Sequence, residues 1–506
     1  MISKPTNAGH ESAECEYNGQ AFASICSTVT SMLNVVVKTL IVYFLSTSFA
    51  LAAGSSCIQF YQGAYRVVPQ NIQTYLVDTI NSLERMRGKS SLVRDIMWVQ
   101  STTHVKPLNE YTSGTNIAVD ILVNTELMNY SQHAEKAKTN LTQVLSSLKE
   151  MDRHSSGLFF SWYSAENVKI IGNRNLSSID NLHLAISLWT VAEKFPELPI
   201  GKMARELFER MDFSMFVDNI SGLIGGNFTY FNGVWVRDTY NFSYLGSEAR
   251  ILYTAGWALG IFKEYANRPD IIEKGIKWLV TETRSTEDGL LLRLWDGSAF
   301  QLYFPKMFVG EENYSPVLKK IYRAMGSHMI SEGQRRGLAV PAAHSPGVTK
   351  IVIFGNGDVV PVYTDKAGNK DLVSAINKDI NNPYYEANWD MTFTPYALFM
   401  AATTAPDYFI PIIKQIQTMT HNGRAIYLDQ MGWMDGMSLA KDSTDAIVPA
   451  QIAVNQGMVA LSLLQMSSSD GLSASGRALL QNQDVQKNLK YLYQLIDQKL
   501  VSKESR

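Results

Sequence analysis

The segment from Leu182 to Phe195 predicts a helix that is apolar on nearly every side. A helix of that kind has no face to offer to water, so other elements must surround it. The pattern recurs at Ile117, Ala118, Ile121, Leu122 and Leu127, and again from Val454 to Leu464. Elsewhere the apolar residues form a single stripe. Ile251, Leu252, Ala255, Leu259 and Phe262 follow i, i+3/i+4, i+7 spacing, and Val485 to Leu500 reads as an amphipathic last helix. Helical patterns start near Thr74 and run on without a Gly/Pro/Ser-rich linker. Short β-like pieces lie between them at Leu158 to Tyr163, Phe228 to Tyr230 and Ile351 to Phe354, the last followed by the turn Gly355-Asn356-Gly357. No β-α-β alternation is present, which argues against a doubly wound sheet. The expectation is an all-α fold in which helical pairs close into an (α/α) toroid, with short β-hairpins in loops that form a cleft at one end. An irregular helical domain is the plainer alternative.

Of the 506 residues, 46% are hydrophobic and 18% charged, a globular balance that supports a large core. The formal net charge of -2 and the absence of a long basic run argue against nucleic acid as a partner. Cys15, Cys26 and Cys57 make no C-x-x-C pair, and no metal-binding, P-loop, G-x-S-x-G or dinucleotide motif occurs. Residues 1–53 read as a targeting segment. Lys38 precedes an apolar run from Leu40 to Leu45, and Ala50-Leu51-Ala52 supplies an A-x-A cleavage end. The acidic Glu11, Glu14 and Glu16 do not fit such a signal, so translation is expected to start at Met32. Residues 54–90 would then be an extension and first helix, and 91–506 the main domain. The expectation is export to the periplasm or the cell exterior. Attachment to the membrane, by an uncleaved segment or a lipid on Cys57, is the alternative.

Glycoside hydrolysis needs one acid to protonate the leaving oxygen and a second carboxylate to activate water or attack. Carboxylates at the ends of apolar helices are the natural candidates. Asp180 precedes the buried helix in Ser177-Ser178-Ile179-Asp180-Asn181, where an N-cap role competes. Glu248 opens another helix in Ser247-Glu248-Ala249-Arg250, where a dipole role or a pair with Arg250 competes. Asp435 lies in Gly432-Trp433-Met434-Asp435-Gly436, a turn beside a possible sugar platform. Asp296, Asp390 and Asp429 each lie near an aromatic residue. His183, three residues after Asp180, reads as a hydrogen-bonded core histidine.

Taken in order from Trp98 to Gln465, these segments resemble the bacterial glycoamylase-like domain. That domain also occurs in cyclic β-1,2-glucan synthases and is related to endo-β-1,2-glucanases. Thr112-Ser113-Gly114-Thr115-Asn116-Ile117 resembles its "SPTNIG" segment, Gly157 to Tyr163 its "G-F-F-Y-N-W-Y" strand, and Ser178 to Asn181 its "S-V-D-N". Ser247 to Ile251 resembles "S/T-E-A/S-R-I". Trp295 to Phe300 with Arg335-Arg336-Gly337 resembles "W-S-G-T-M-F … R-R-G". Thr394 to Ala397, Gly432 to Asp435 and Asn455-Gln456-Gly457 resemble "A-P-Y-A", "G-F-Y-D" and "D-Q-G". The resemblance implies an (α/α)6 barrel and an inverting hydrolase of a glucan that needs no metal or cofactor. In it Glu248 would be the general acid, Asp435 the candidate base and Asp180 an essential cleft carboxylate. Trp162, Tyr163, Tyr244, Arg250, Trp295, Asp296, Trp433 and Gln456 are the expected substrate contacts. Three departures stand out: Asn455 replaces an Asp, Ser298-Ala299 replaces Thr-Met, and Ala342-Ala343-His344-Ser345 replaces an acidic segment. They leave open a non-catalytic glycan-binding or envelope-assembly protein on the same barrel.

Overall fold

A computed structural model describes residues 69–99, 101–295, 298–335, 337, 339–341, 343, 350–353, 359–364, 370–371, 392–421, 424–438 and 447–504. The targeting segment and the three cysteines lie outside the described residues, as do Asp296, Asp390 and most of Ala342 to Ser345.

Two kinds of helix alternate along the chain. The first kind is striped: α1 (Gln70–Arg85), α3 (Ala134–Glu150), α5 (Pro199–Arg210), α6 (Pro269–Trp278), α8 (Pro316–Arg335) and α10 (Pro406–Gln417). In α5 and α10 only four of twelve residues are buried. The second kind is buried nearly all round: α2 (Gly114–Leu127), α4 (Ser178–Lys194), α7 (Ala299–Val309), α9 (Pro395–Ala402) and α11 (Ala453–Met466). All eight residues of α9 and thirteen of the fourteen in α2 are buried. The short helix around the π-turn Leu252–Gly256 completes this second set, and all five residues of the turn are buried.

The buried helices form a closed ring. α2 packs on α4, α4 on the π-turn helix, α7 on α9, α9 on α11, and α11 back on α2. Arg250 closes the remaining step, with its guanidinium donating to the carbonyls of Gln301 and Leu302 at 2.7 and 2.6 Å. Where α11 crosses α2 the backbones come so close that a Cβ on Gly457 would lie 2.0 Å from Val119 Cγ1, so only glycine fits there. Each striped helix packs against a buried one: α3 on α2, α5 on α4, α6 on the π-turn helix, and α8 and α10 on α9. The result is the toroid that the helical patterns imply, with the (α/α)6 count that the resemblance implies. α1 belongs to it, packed on α11.

After the ring come α12 (Ala474–Gln481) and α13 (Gln483–Glu504). α12 packs on α2, α4 and α7 at their C-terminal ends. Arg477 meets Glu126 near the end of α2 at 3.1 Å, and Asn482 meets Glu193 at the end of α4 at 3.2 Å. That end of the barrel is therefore shut. The opposite end, where the inner helices begin, is framed by short antiparallel pairs. Asn175–Ser177 pairs with Asn227–Phe231, which pairs with Val234–Arg237.

The β-like piece at Phe228 to Tyr230 is a strand as expected, and Ile351 to Ile353 pairs with Val359 to Pro361. The piece at Leu158 to Tyr163 is mostly irregular, with regular pairing only at Tyr163–Ser164. The stripe through Phe262 ends early, because the π-turn shifts the register and Gly260 turns the chain with φ +70°. Among the described residues no helix is long and apolar enough to cross a membrane.

Candidate active site

Asp180 occupies the first turn of α4, but it does not cap that helix. Ser177 is the cap, its Oγ accepting from the Asp180 N–H at 3.2 Å. The Asp180 side chain instead reaches across to α2. This is possible because Gly114, the first residue of α2, lies against the Asp180 backbone, where a Cβ would be 3.0 Å from its carbonyl oxygen. The Thr115 hydroxyl donates to Asp180 Oδ1, and the Thr115 N–H, left without an intrahelical partner, points to the same carboxylate. Burial pushes the Asp180 carboxyl up from its ordinary range, while Thr115 and Ser177 pull it back in part. Behind it His183 is buried between Phe304 and Phe308, with its Nδ1 3.0 Å from Thr115 Oγ1. Burial lowers that imidazole to about 3, so it is the neutral core histidine the sequence indicates.

Glu248 stands just before the π-turn helix, partly exposed, with its N–H donating to Gln301 Oε1 at 2.8 Å. Arg250 holds this segment from below. Fully buried, it binds the Ser247 carbonyl at 3.1 Å and Glu311 Oε2 at 2.6 Å, and Tyr493 donates to the same carboxylate at 2.7 Å. Gly246 accepts from the Trp295 N–H at 2.9 Å, which sets Trp295 beside Glu248. Tyr240 lies 6.2 Å from the Trp295 ring, and Arg293 sits over the Tyr244 ring.

Asp435 is buried next to the start of α11. Its Oδ1 accepts from Asn455 Nδ2 at 2.5 Å, and its N–H donates to the Ala450 carbonyl at 2.9 Å. Gln451 and Gln456 both donate to the Trp433 carbonyl, at 3.0 and 2.7 Å, and fix the turn. The residue that departs from the family pattern, Asn455, is thus in direct contact with the candidate base.

The three carboxylates therefore stand where inner helices begin, at the open end of the ring. A fourth, which the sequence reading passed over, stands with them. Asp95 precedes the strand Ile96–Val99 and is 5% exposed. Its Oδ1 accepts from Asn116 Nδ2 at 2.9 Å, and its carbonyl accepts from the Ala453 N–H, the first residue of α11, at 2.8 Å. Burial pushes its carboxyl up to about 6, against the pull of Asn116 and Asn109, and the charge on Asp180 adds to the rise.

Several expected substrate contacts turn inward. The Trp433 ring is 1% exposed and packs among Tyr75, Phe399 and Tyr427, so it is a core residue and no sugar platform. Tyr163 is buried, donating to the Asp152 carbonyl and accepting from the Phe160 N–H. Arg250 and Gln456 are likewise buried and position the carboxylate segments. Trp162, Tyr244 and Trp295 remain partly exposed, with Trp162 beside the half-open ring of Tyr111. Asp429 is exposed. No group of His, Cys, Asp and Glu that could hold a metal ion occurs among the described residues.

No protein-family model matches the sequence, and no curated protein matches it. Solved structures do match its fold. An endo-β-1,2-glucanase of Talaromyces funiculosus, solved as a mutant with β-1,2-glucan, superposes with a TM-score of 0.66 at 10% identity, over 89% of this chain and 93% of its own. An endo-β-1,2-glucanase of Chitinophaga pinensis, solved with sophorotriose and glucose, gives 0.60 at 12% identity, over 83% of this chain and 97% of its own. A candidate glucoamylase of Bacteroides caccae gives 0.58 at 12% identity, over 83% and 98%. The chain thus has the barrel fold of the endo-β-1,2-glucanases and glucoamylase-like proteins, as the ordered motifs imply.

Proposed function

We propose that this chain is an exported, inverting glycoside hydrolase acting on a glucan, with β-1,2-glucan the first substrate to test. What supports the reading is that Asp180 and Glu248 stand at the starts of two inner helices and Asp435 contacts the start of a third, at the end of the barrel opposite α12. Glu248 donates its proton to the leaving glycosidic oxygen. Asp435 takes a proton from the attacking water, directly or through a relay, and Asp180 accepts a hydrogen bond from a sugar hydroxyl. Asn455 suits this assignment. An amide N–H can only donate, so Asp435 Oδ1 is held as an acceptor, the state a base requires. Trp162, Tyr244 and Trp295 are the rings available to stack on sugar. Inversion calls for the Glu248 and Asp435 carboxyls to face one cleft roughly 6–10 Å apart with water between them.

The solved endo-β-1,2-glucanases of the same fold motivate the choice of glucan. Export rests on the segment from Met32 to Ala53, and amino-terminal sequencing of the mature protein checks it: an end near Gly54 is expected, and an intact Met1 end contradicts it. The hydrolase reading is tested with purified protein and β-1,2-glucan. New reducing ends are expected, and Glu248→Gln should lower turnover by about 10²–10⁴-fold while glucan binding persists. Binding without turnover in the unaltered protein would instead establish a glycan-binding protein.

A further inference from the structure

Thr115 and Asn116, consecutive residues in the first turn of α2, each hold one carboxyl group. Thr115 serves Asp180 and Asn116 serves Asp95. Because their holders are neighbours in one helical turn, the two acids share that turn, and the charge on Asp180 raises the Asp95 carboxyl. They are not equally provided for. Asp180 receives the Thr115 hydroxyl, the Thr115 N–H and a contact from Ser177. Asp95 receives amide nitrogens alone, from Asn116 and more weakly Asn109, and its Oδ2 is buried with no partner in hydrogen-bond geometry.

Hydroxyl bookkeeping sharpens the asymmetry. The Thr115 hydroxyl has one proton. Because it goes to Asp180, Thr115 Oγ1 must accept from His183, which fixes that ring as the Nδ1–H tautomer. Both donors in this chain point toward Asp180. The remaining charged neighbour, Arg94, turns its guanidinium to Glu166 at 2.5 Å and to the carbonyl of Arg87 at 2.7 Å. Of the other titratable residues next to the pair, His183 lies behind Asp180 and is neutral, and Tyr111 accepts from the Asp95 N–H through its carbonyl at 2.6 Å.

We propose that Asp95 is a positioning residue of the site: it and Asp180 form an electrostatically coupled carboxyl pair in which Asp95 holds a proton and Asp180 the charge. Asp180 is thereby kept as a hydrogen-bond acceptor for the ligand. The ligand's identity as a glucan rests on the function proposed above, whereas the pair itself does not. A carboxyl with an orphaned, buried oxygen is the better place for a proton. A carboxylate at two helix starts with three donors is the better place for charge.

The test follows the aspartate side-chain carboxyl ¹³C resonances of labelled full-length protein through a pH titration. One carboxyl should titrate near pH 6. It should vanish in Asp95→Asn, and in Asp180→Asn it should move at least about half a unit lower, because the repelling charge is gone. The second variant leaves Asp95 in place, so the result does not depend on how well Asp95→Asn folds. Turnover of β-1,2-glucan is the second readout. The kcat/KM profile should carry an inflection near pH 6 that Asp95→Asn removes, whereas a merely structural role would scale the profile without changing its shape. Thr115→Ser should keep the native profile and Thr115→Val should not. No carboxyl titrating near pH 6, or one indifferent to Asp180→Asn, overturns the proposal. Coupling observed without turnover supports the pair and overturns the hydrolase reading instead.

Discussion

The shut parts of the barrel and its open end treat buried charge in opposite ways. In the wall and at the closed end, charge meets charge. Arg250 is paired with Glu311 at 2.6 Å with both side chains fully buried, and Arg477 is paired with Glu126 and with Asp470, at 3.1 and 2.7 Å. At the open end Asp95 and Asp180 are held by hydroxyls and amides, and Asp435 accepts from the amide of Asn455. An ion pair consumes a carboxylate's charge in holding the structure. Neutral donors fix its position and leave the charge to act on whatever enters. The difference separates the acids that build the barrel from those that can do chemistry in it.

The contrast can be broken most forcefully in the wall. Arg250→Met should destabilise the fold by about 3–5 kcal/mol in chemical denaturation, since Glu311 would be left as an unpaired buried charge. A loss below about 1 kcal/mol would mean that the network is not the anchor described. At the open end the effect should depend on pH. The Asp95 carboxyl binds its proton more tightly folded, at about 6, than unfolded, at about 3.9. Its contribution to stability is therefore complete below the unfolded value and is lost as pH rises through the folded one. Asp95→Asn cannot lose it. The stability of the native protein relative to this variant should fall by about 2–3 kcal/mol between pH 4 and pH 7. A pH-independent difference would break the contrast.

Smaller effects sharpen it further. Arg477→Ala should cost about 1–2 kcal/mol and leave turnover at neutral pH intact, because it acts at the closed end. Burial pushes Asp470 up, but Arg477, Ser468 and the Leu472 N–H outweigh it and hold its carboxyl below the usual range. The pair's contribution is thus present at neutral pH and lost only in strong acid. Phe231→Ser, at the tip of the hairpin Asn227–Arg237 where the ring is 62% exposed, should change stability by less than about 0.5 kcal/mol.

The barrel was legible in the sequence because its inner helices have no polar face. α4 and α11 show that in their residues, and a chain with several such helices and no linker has few ways to bury them. The positions of Asp180 and Glu248 at helix starts were legible for the same reason, since helix ends are where loops meet, and Asp435 was legible as a turn residue before Gly436. Which way a side chain turns was not. Trp433 and Tyr163 share their sequence neighbourhood with acids, yet both rings complete the core, and an aromatic residue suits either place. Asp95 was invisible in the chain. Its setting arises from residues at 109, 116, 180 and 453, and nothing in Arg94-Asp95-Ile96 marks it.

The central claim is that the open end is a catalytic cleft in which Glu248 and Asp435 work on opposite sides of one bond. Proton NMR of the first sugar ends released from β-1,2-glucan tests it most directly. The α-anomer should appear first and then equilibrate, with release slowed at least about 10²-fold in Glu248→Gln. Initial release of the β-anomer, or undiminished release by Glu248→Gln, would contradict it.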